Sequence, residues 1–186
     1  MKFLLNLLLL FTLTGCVATY RDFPAAALDQ PAAPGNCEVL HYKVNRFNVL
    51  DSGGFDKLQD IFASGQLCRK TVQVDKAPEK GLYVDVETEW RPMSLPALVF
   101  GYISVSTLTI LPAWSTQDGY TVNYHLYVDG EKKETYRYKV TRKAGLWFGL
   151  LPFVWVNAIT YKEADAFTAT VNQFALDARP YLDRKL

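Results

Sequence analysis

The residues of this 186-residue chain that could do chemistry include three cysteines, and the first of them follows a distinctive segment. Cys16 stands behind an apolar run, Phe3 to Leu13, with one basic residue, Lys2, ahead of it. A basic start, a short apolar stretch and small residues at the cleavage point are the order of a secretory signal peptide. About eleven helical residues span roughly 16 Å, well short of the roughly 30 Å core of a bilayer. We therefore expect residues 1–15 to be a removable signal and not a membrane span.

The residues Leu13-Thr14-Gly15-Cys16 that close this segment resemble the lipobox of bacterial lipoproteins. The resemblance implies cleavage before Cys16, acylation of its thiol and of its new amino group, and residence on a membrane through those acyl chains. In such lipoproteins an aspartate after the cysteine commonly retains the protein at the inner membrane, whereas this chain has Val17. The resemblance therefore implies the outer membrane, on its periplasmic side. The alternative is an ordinary secreted protein with a coincidental cysteine.

The other two cysteines, Cys37 and Cys68, are expected to form a disulfide bond. Outside the cytoplasm an isolated pair of cysteines usually forms a disulfide. Closing a loop of about 32 residues would stabilise the fold by roughly 3.7 kcal/mol on the chain-entropy estimate. Two thiols alone do not supply the four ligands that structural zinc requires.

Charge excludes one class of partner. Removing Lys2 with the signal leaves 19 of the 20 basic residues, which balance 19 acidic residues. Without net positive charge or a basic stripe, nucleic acid is not an expected partner. Balanced charge also predicts little overall attraction to anionic lipid headgroups. Attachment to a membrane would then depend on acyl chains and apolar surface.

Patterning predicts a lipidated Ala/Pro-rich tether over residues 16–36 and a single α+β domain over 37–186. We expect a mixed sheet of about five strands in the order β-α-β-β-[apolar insert]-β-β-[apolar insert]-α, with two helices on one face. The predicted strands cover 37–49, 67–75, 82–90, 119–128 and the stretch after the turn Asp129-Gly130. One helix starts near Phe55, and a second follows the capping box that runs from Thr160 to Glu163.

The connections predict where the strand ends gather. A strand, helix and strand in succession usually form a crossover between parallel strands. The short link Lys76 to Lys80 predicts an antiparallel hairpin to the next strand. Under this topology both apolar inserts, the disulfide and the point where the lipidated tether joins the first strand lie at one edge of the sheet.

The two inserts, residues 92–117 and 144–161, contain no charged residue. Prolines and hydroxyl residues interrupt the first, and the second is short for a span, so neither predicts a transmembrane helix. Three interpretations stay open: buried connections inside the core, a surface that contacts a membrane or partner subunits, and, with least support, a true span. Aromatic residues favour the headgroup boundary of a bilayer as well as a core. The candidate contact residues are Leu98, Phe100, Tyr102, Trp114, Trp147, Phe148, Phe153 and Trp155.

The chain offers no constellation for catalysis. His41 and His125 each stand alone in a predicted strand, and Asp85, Glu87 and Glu89 line one face of a strand as solvated carboxylates do. No serine or cysteine stands in a Gly-x-Ser-x-Gly elbow, and Gly53-Gly54 lacks the residues of a phosphate loop. We expect no enzymatic activity, no cofactor and no metal.

These features predict a non-enzymatic envelope lipoprotein, anchored through Cys16, whose apolar edge contacts the membrane, an envelope protein or further copies in a homo-oligomer. The order of elements resembles that of the curli-secretion channel lipoprotein, an α/β domain with two membrane inserts at one edge. The inserts here do not alternate apolar and polar residues as channel hairpins do, so the resemblance does not extend to a pore. The alternative is a periplasmic binding module for a hydrophobic ligand.

Overall fold

The structure is a computed structural model that describes residues 15–29, 35–46 and 53–183. Nearly all of the predicted signal peptide lies outside the described residues. The fold is α+β, with a mixed sheet and several helices, as the sequence predicts. The strands are β1 Cys16–Arg21, β2 Val39–Val44, β3 Lys70–Gln73, β4 Leu82–Arg91, β5 Ala113–Ser115, β6 Gly119–Val128 and β7 Glu131–Leu146. The α-helices are α1 Gly53–Ala63, α2 Leu95–Ser106, α3 Val156–Ile159, α4 Glu163–Asp177 and α5 Arg179–Leu182, and the 3-10 helices are η1 Ala25–Ala27 and η2 Phe148–Phe153.

The chain divides into two compact units, where the sequence predicts a single domain. The described residues of the smaller unit are 15–21, 91–119 and 141–162, and they include Cys16 and both apolar inserts. The larger unit takes the other described residues, from 22 to 90, 120 to 140 and 163 to 183. Strand β7 contributes its first ten residues to the larger unit and its last six to the smaller one.

The larger unit is built on parallel strands with two helices on one face. Strand β2 pairs in parallel with β3 on one side and with β4 on the other, and β6 and β7 follow in the order β7-β6-β4-β2-β3. The parallel crossover predicted through α1 is therefore confirmed. Rings from both helices contact the same side chain of β6: Phe62 of α1 and Phe174 of α4 lie 6.4 Å and 4.7 Å from the ring centroid of Tyr124. Both helices therefore cover the same face.

The predicted hairpin between β3 and β4 is wrong. Both strands run parallel to β2, which lies between them. The eight residues from Val74 to Gly81 span up to about 26 Å when extended, which is enough to return past a strand of four to six residues. Hydrogen bonds join Gly81 at the start of β4 to Asp129 at the end of β6, so these two strands run antiparallel.

This correction separates the disulfide from the inserts. Cys37 and Cys68 are bonded, with their Cα atoms 5.2 Å apart, which confirms the predicted pair. Both are buried in the larger unit, beside the start of β2. Cys16 and the inserts belong to the smaller unit. The expectation that all of them share one edge was wrong because it depended on the hairpin.

The segment predicted as a tether is partly ordered. Residues Cys16–Arg21 form β1, which pairs antiparallel with β7 and places Cys16 opposite Leu146. Further along, the side chain of Asn172 donates a 2.8 Å hydrogen bond to the carbonyl oxygen of Ala27 in η1. The alanines and prolines that suggested a tether lie mostly after β1, whereas Val17, Thr19 and Tyr20 are good strand formers. Residues 30–34 of the predicted tether lie outside the described part of the chain.

Tyr124 lies at the centre of the larger unit's core and is fully buried. The Thr170 hydroxyl donates to the carbonyl oxygen of Phe167, so the Tyr124 hydroxyl donates to Thr170 Oγ1 at 2.8 Å. Burial raises the pKa of Tyr124 far above its ordinary value of 10.0.

We predict that Tyr124→Phe changes how stability depends on alkaline pH. Above about pH 10 the unfolded chain releases a proton that folded Tyr124 keeps, so the wild-type free energy of unfolding falls by about 1.4 kcal/mol per pH unit from this group alone. Below about pH 10 both the folded and the unfolded chain keep this proton, so the stabilisation by Tyr124 is fully present there. The variant loses about 1 kcal/mol at neutral pH with the hydrogen bond, but its stability falls less steeply above about pH 10. Urea unfolding between about pH 8 and pH 11 measures both slopes, and parallel curves would contradict the prediction.

Candidate functional site

The end of strand β7 organises the smaller unit. Leu146 pairs with Cys16 of β1 and also with Ala113 of β5, and both pairings are antiparallel. A residue of a strand has two hydrogen-bonding edges, so β1 and β5 lie on opposite sides of Leu146. The lipid-attachment candidate therefore stands one strand away from the end of the first insert.

Helix α2 within the first insert has inverted polarity. The buried residue of this helix is Ser104, whereas its large apolar side chains are exposed, Leu95 and Tyr102 to 72% and 71%. The helix begins at a favourable N-cap, because the Ser94 hydroxyl accepts a 3.4 Å hydrogen bond from the Ala97 amide. A soluble protein normally turns such side chains inward. The helix is thus built to present apolar groups outward.

The two inserts are joined by hydrogen bonds. The Phe148 amide donates to the carbonyl oxygen of Thr109 at 2.8 Å, and Trp147 Nε1 donates to the carbonyl oxygen of Ile110 at 3.1 Å. The acceptors follow a strained turn, in which Leu108 and Thr109 have φ of 52° and 64°. Residues other than glycine rarely adopt this left-handed backbone conformation, and such backbone strain concentrates at functional positions.

We call the exposed large apolar side chains of the smaller unit the apolar surface. Eighteen of the twenty exposed large apolar side chains among the described residues belong to it. All eight contact residues proposed from the sequence are exposed within it, and Phe100 and Trp114 stack with their ring centroids 5.9 Å apart. Sequence reasoning did not single out the others: Leu95, Val99, Ile103, Val105, Leu108, Ile110, Leu111, Val154, Ile159 and Tyr161.

Neither insert forms a membrane span. Helix α2 has 12 residues, or about 18 Å of helix, and the second insert consists of η2 and the short α3. Within the described part of the chain, no helix combines the length and apolarity needed to cross a bilayer.

Asn157 holds Cys16 in place. This side chain lies in α3, where Nδ2 donates to the carbonyl oxygen of Cys16 at 2.7 Å and Oδ1 accepts from the Ala18 amide at 2.9 Å. The side chain thus provides the partners that another strand would offer to the free edge of β1. Thr160 adds a hydrogen bond to the Ala18 carbonyl oxygen at 3.3 Å. The sequence carried one signal for this role, since Asn157 is the only amide side chain in the uncharged run 144–161.

An ion pair between buried Asp118 and half-buried Arg142 stabilises the base of the first insert. Asp118 is 1% exposed, and Arg142 donates to its carboxylate through Nε at 2.6 Å and through a second guanidinium nitrogen at 2.5 Å. Ser115 donates to the other carboxylate oxygen. Asp118 follows β5 and Arg142 lies on β7, so this pair pins the insert to the strand.

Charge is unevenly divided between the units. The described residues of the smaller unit include five basic side chains, Arg21, Arg91, Arg142, Lys143 and Lys162, and one acidic side chain, Asp118. The described residues of the larger unit carry 12 basic and 17 acidic side chains. The overall balance seen in the sequence therefore hides a net positive smaller unit. Apolar surface combined with basic residues is the composition of proteins that lie on anionic membranes.

The histidines have structural partners. His41 Nδ1 lies 3.3 Å from the Leu82 carbonyl oxygen, and His125 Nδ1 lies 2.9 Å from Thr135 Oγ1. His125 Nε2 also lies 3.5 Å from an exposed carboxylate oxygen of Glu87. The described residues contain no cluster of three His, Cys, Asp or Glu placed to hold a metal ion.

Comparison with known proteins gives distant likenesses. No family model matches this sequence, and no curated protein matches it. Among solved structures, a minor lipoprotein from Acinetobacter baumannii matches with a TM-score of 0.34 and 11% identity, over 81% of this chain and 93% of that chain. A PelC dodecamer from Paraburkholderia phytofirmans matches with a TM-score of 0.29 and 12% identity, over 91% of this chain and 98% of that chain.

We predict that Asn157→Ala loosens β1. The change removes both hydrogen bonds to the edge of the strand, and a typical hydrogen bond contributes about 0.5–1.5 kcal/mol. Backbone amides of residues 16–21 should then exchange with deuterium about tenfold faster or more. Asn172→Ala is the matched control, because it too removes an asparagine side chain bonded to backbone, but in the larger unit. Equal exchange of β1 in the two variants would show that Asn157 does not hold the strand.

Proposed function

We propose that this protein is a non-enzymatic lipoprotein of the cell envelope, anchored through acylated Cys16, that uses its apolar surface to contact a membrane or partner subunits. The observation that supports the proposal most is the placement of exposed apolar side chains. Of the twenty such side chains in the described part of the chain, eighteen lie in the smaller unit, which also contains Cys16. Contiguous exposed apolar surface beyond a few hundred Å² marks interaction sites in soluble proteins.

Membrane contact fits the composition of the surface better than a protein interface does. Trp114, Trp147 and Trp155 are each exposed, and tryptophan favours the headgroup level of a bilayer. The net positive charge of the smaller unit complements anionic lipid. Helix α2 is too short to span, but its apolar side chains suit a helix that lies in the interface. An acyl anchor on Cys16 and this surface together supply the two signals that stable attachment requires.

The outer membrane, facing the periplasm, is the location we propose, because Val17 replaces the aspartate of inner-membrane lipoproteins. The binding-module alternative has less support. The cavity beside α2, lined by Ser94, Phe100 and Trp114 among others, has a volume of about 110 Å³, whereas sites for small molecules usually enclose about 300–1,000 Å³. A cavity of about 370 Å³ in the larger unit does reach that range, but its lining includes the charged residues Glu38, Lys80 and Asp129.

If Cys16 is acylated, the protein should incorporate labelled fatty acid at that residue. Cells grown with radioactive palmitate should label the wild-type protein, which should fractionate with the outer membrane. Cys16→Ser removes the acylated thiol and should abolish the label. Cys37 and Cys68 serve as internal controls, because their disulfide leaves no thiol to acylate. An unlabelled wild-type protein, or a label that survives in Cys16→Ser, would overturn the lipoprotein assignment.

The apolar surface predicts unusual tolerance to charge. Leu98→Asp and Phe153→Asp place a carboxylate on side chains that are 41% and 52% exposed. Each variant, made in the Cys16→Ser background, should keep its melting temperature within a few degrees and lose binding to vesicles or self-association. Leu126→Asp is the matched control, because Leu126 is fully buried and an unpaired buried charge costs several kcal/mol of a typical total of about 5–15. Unfolding of both surface variants would show that the inserts are core, and the contact proposal would fail.

A further inference from the structure

Gly15, the residue before Cys16, lies in a buried site that leaves no space for a side chain. We call this site, which is formed by the backbone of Trp147, Leu150 and Leu151, the seat. A Cβ atom at this position would lie 2.5 Å from the carbonyl oxygen of Trp147, 2.7 Å from the nitrogen of Leu151 and 2.9 Å from the carbonyl carbon of Leu150. All three neighbours are backbone atoms, which cannot move aside as the end of a flexible side chain can. The seat therefore has room for an α-carbon only if that carbon bears no substituent in the direction of a Cβ atom.

The peptide groups before and after Cys16 are each held by one hydrogen bond. The Trp147 amide donates a 3.0 Å hydrogen bond to the Gly15 carbonyl oxygen. On the other side, Asn157 Nδ2 donates to the Cys16 carbonyl oxygen at 2.7 Å. These contacts fix the point at which the lipobox would be cut.

We propose that this seat holds the start of the amide-linked acyl chain in the mature protein, an inference that rests on the acylation of Cys16 proposed above. Hydrolysis of the peptide bond after Gly15 frees the amino group of Cys16. That amine then displaces the alcohol of an acyl ester donor, its proton leaving with the alcohol, so that one amide replaces another on the same nitrogen. Gly15 in this structure stands in for the carbonyl group and the α-carbon of the fatty acyl chain.

The chemistry of the seat matches a straight-chain fatty acyl group. The acyl carbonyl takes the place of the Gly15 carbonyl and accepts the hydrogen bond of the Trp147 amide. The α-methylene takes the place of the Gly15 Cα, where an unbranched carbon fits. A free amine would leave the Trp147 amide without this acceptor. The acyl chain therefore starts beside Trp147, a side chain of the apolar surface, and the chain and the surface can enter the same leaflet.

The test uses the mature chain from residue 16 with Cys16→Ser, prepared with a free amino terminus, an N-acetyl group or an N-pivaloyl group. The acetyl group supplies the carbonyl and an unbranched α-carbon. The pivaloyl group supplies the same neutral amide, but one of its three methyl groups must occupy the blocked Cβ position. We expect the Trp147 amide proton to exchange about five- to tenfold more slowly in the acetyl form than in the free-amine form, as one hydrogen bond of ordinary strength would give. The pivaloyl form should resemble the free amine. Exchange at that one amide is followed by NMR.

Equal exchange in the acetyl and free-amine forms would show that no carbonyl occupies the seat. Equal protection by acetyl and pivaloyl would show that the seat does not select an unbranched carbon. Either result would contradict the proposal that the seat holds the acyl chain. Neither would affect the lipoprotein assignment, because palmitate labelling of the wild-type protein tests that assignment separately. An unlabelled wild-type protein overturns both.

Discussion

Backbone pairing at the end of strand β7 is the constraint on which the rest of the smaller unit depends. Leu146 pairs with Cys16 on one side and with Ala113 on the other, so Cys16 and the first insert are fixed to the same residue. The outer edge of β1 still needs partners, because buried or half-buried backbone groups are costly to leave unpaired. Asn157 provides two of them from α3. Cys16 is thus part of the folded unit and not of a flexible tether.

Polarity in the smaller unit runs against the rule for soluble proteins. Helix α2 buries a serine and exposes leucine, valine, phenylalanine and tyrosine, whereas the core of the larger unit is a conventional aromatic and aliphatic cluster around Tyr124. Burying a large apolar side chain stabilises a fold by about 1.5–3 kcal/mol, so exposing many of them forgoes considerable stabilisation. Such exposure is sustained when another phase or partner covers the surface. The buried pair of Asp118 and Arg142 keeps the base of the insert in register while its apolar side chains face outward.

Much of the larger unit could be predicted, because its signals are local. Alternation identified strands β4 and β6, the turn at Asp129-Gly130 was placed correctly, and the capping box preceded helix α4. The disulfide followed from cysteine count and compartment. The prediction of a hairpin between β3 and β4 was wrong because the length of a connection does not decide the direction of the next strand. Eight residues are enough either to turn back or to pass a neighbouring strand. Strand β1 was missed because alanine and proline dominated the composition of the segment around it.

The sequence by itself predicted a signal segment that ends before Cys16 and determined the two uncharged inserts, since each is a contiguous pattern of residue types. It left open whether the inserts are core or surface, because apolar residues satisfy both, and periodicity cannot separate them when a helix is apolar all round. Only the tertiary structure decided that their side chains are exposed, that Asn157 holds Cys16 and that Gly15 occupies a closed seat. The contacts of Asn157 and Gly15 join residues about 130 to 140 positions apart in the sequence. Such distant residues meet only because the whole sheet forms, and no local pattern predicts their contact.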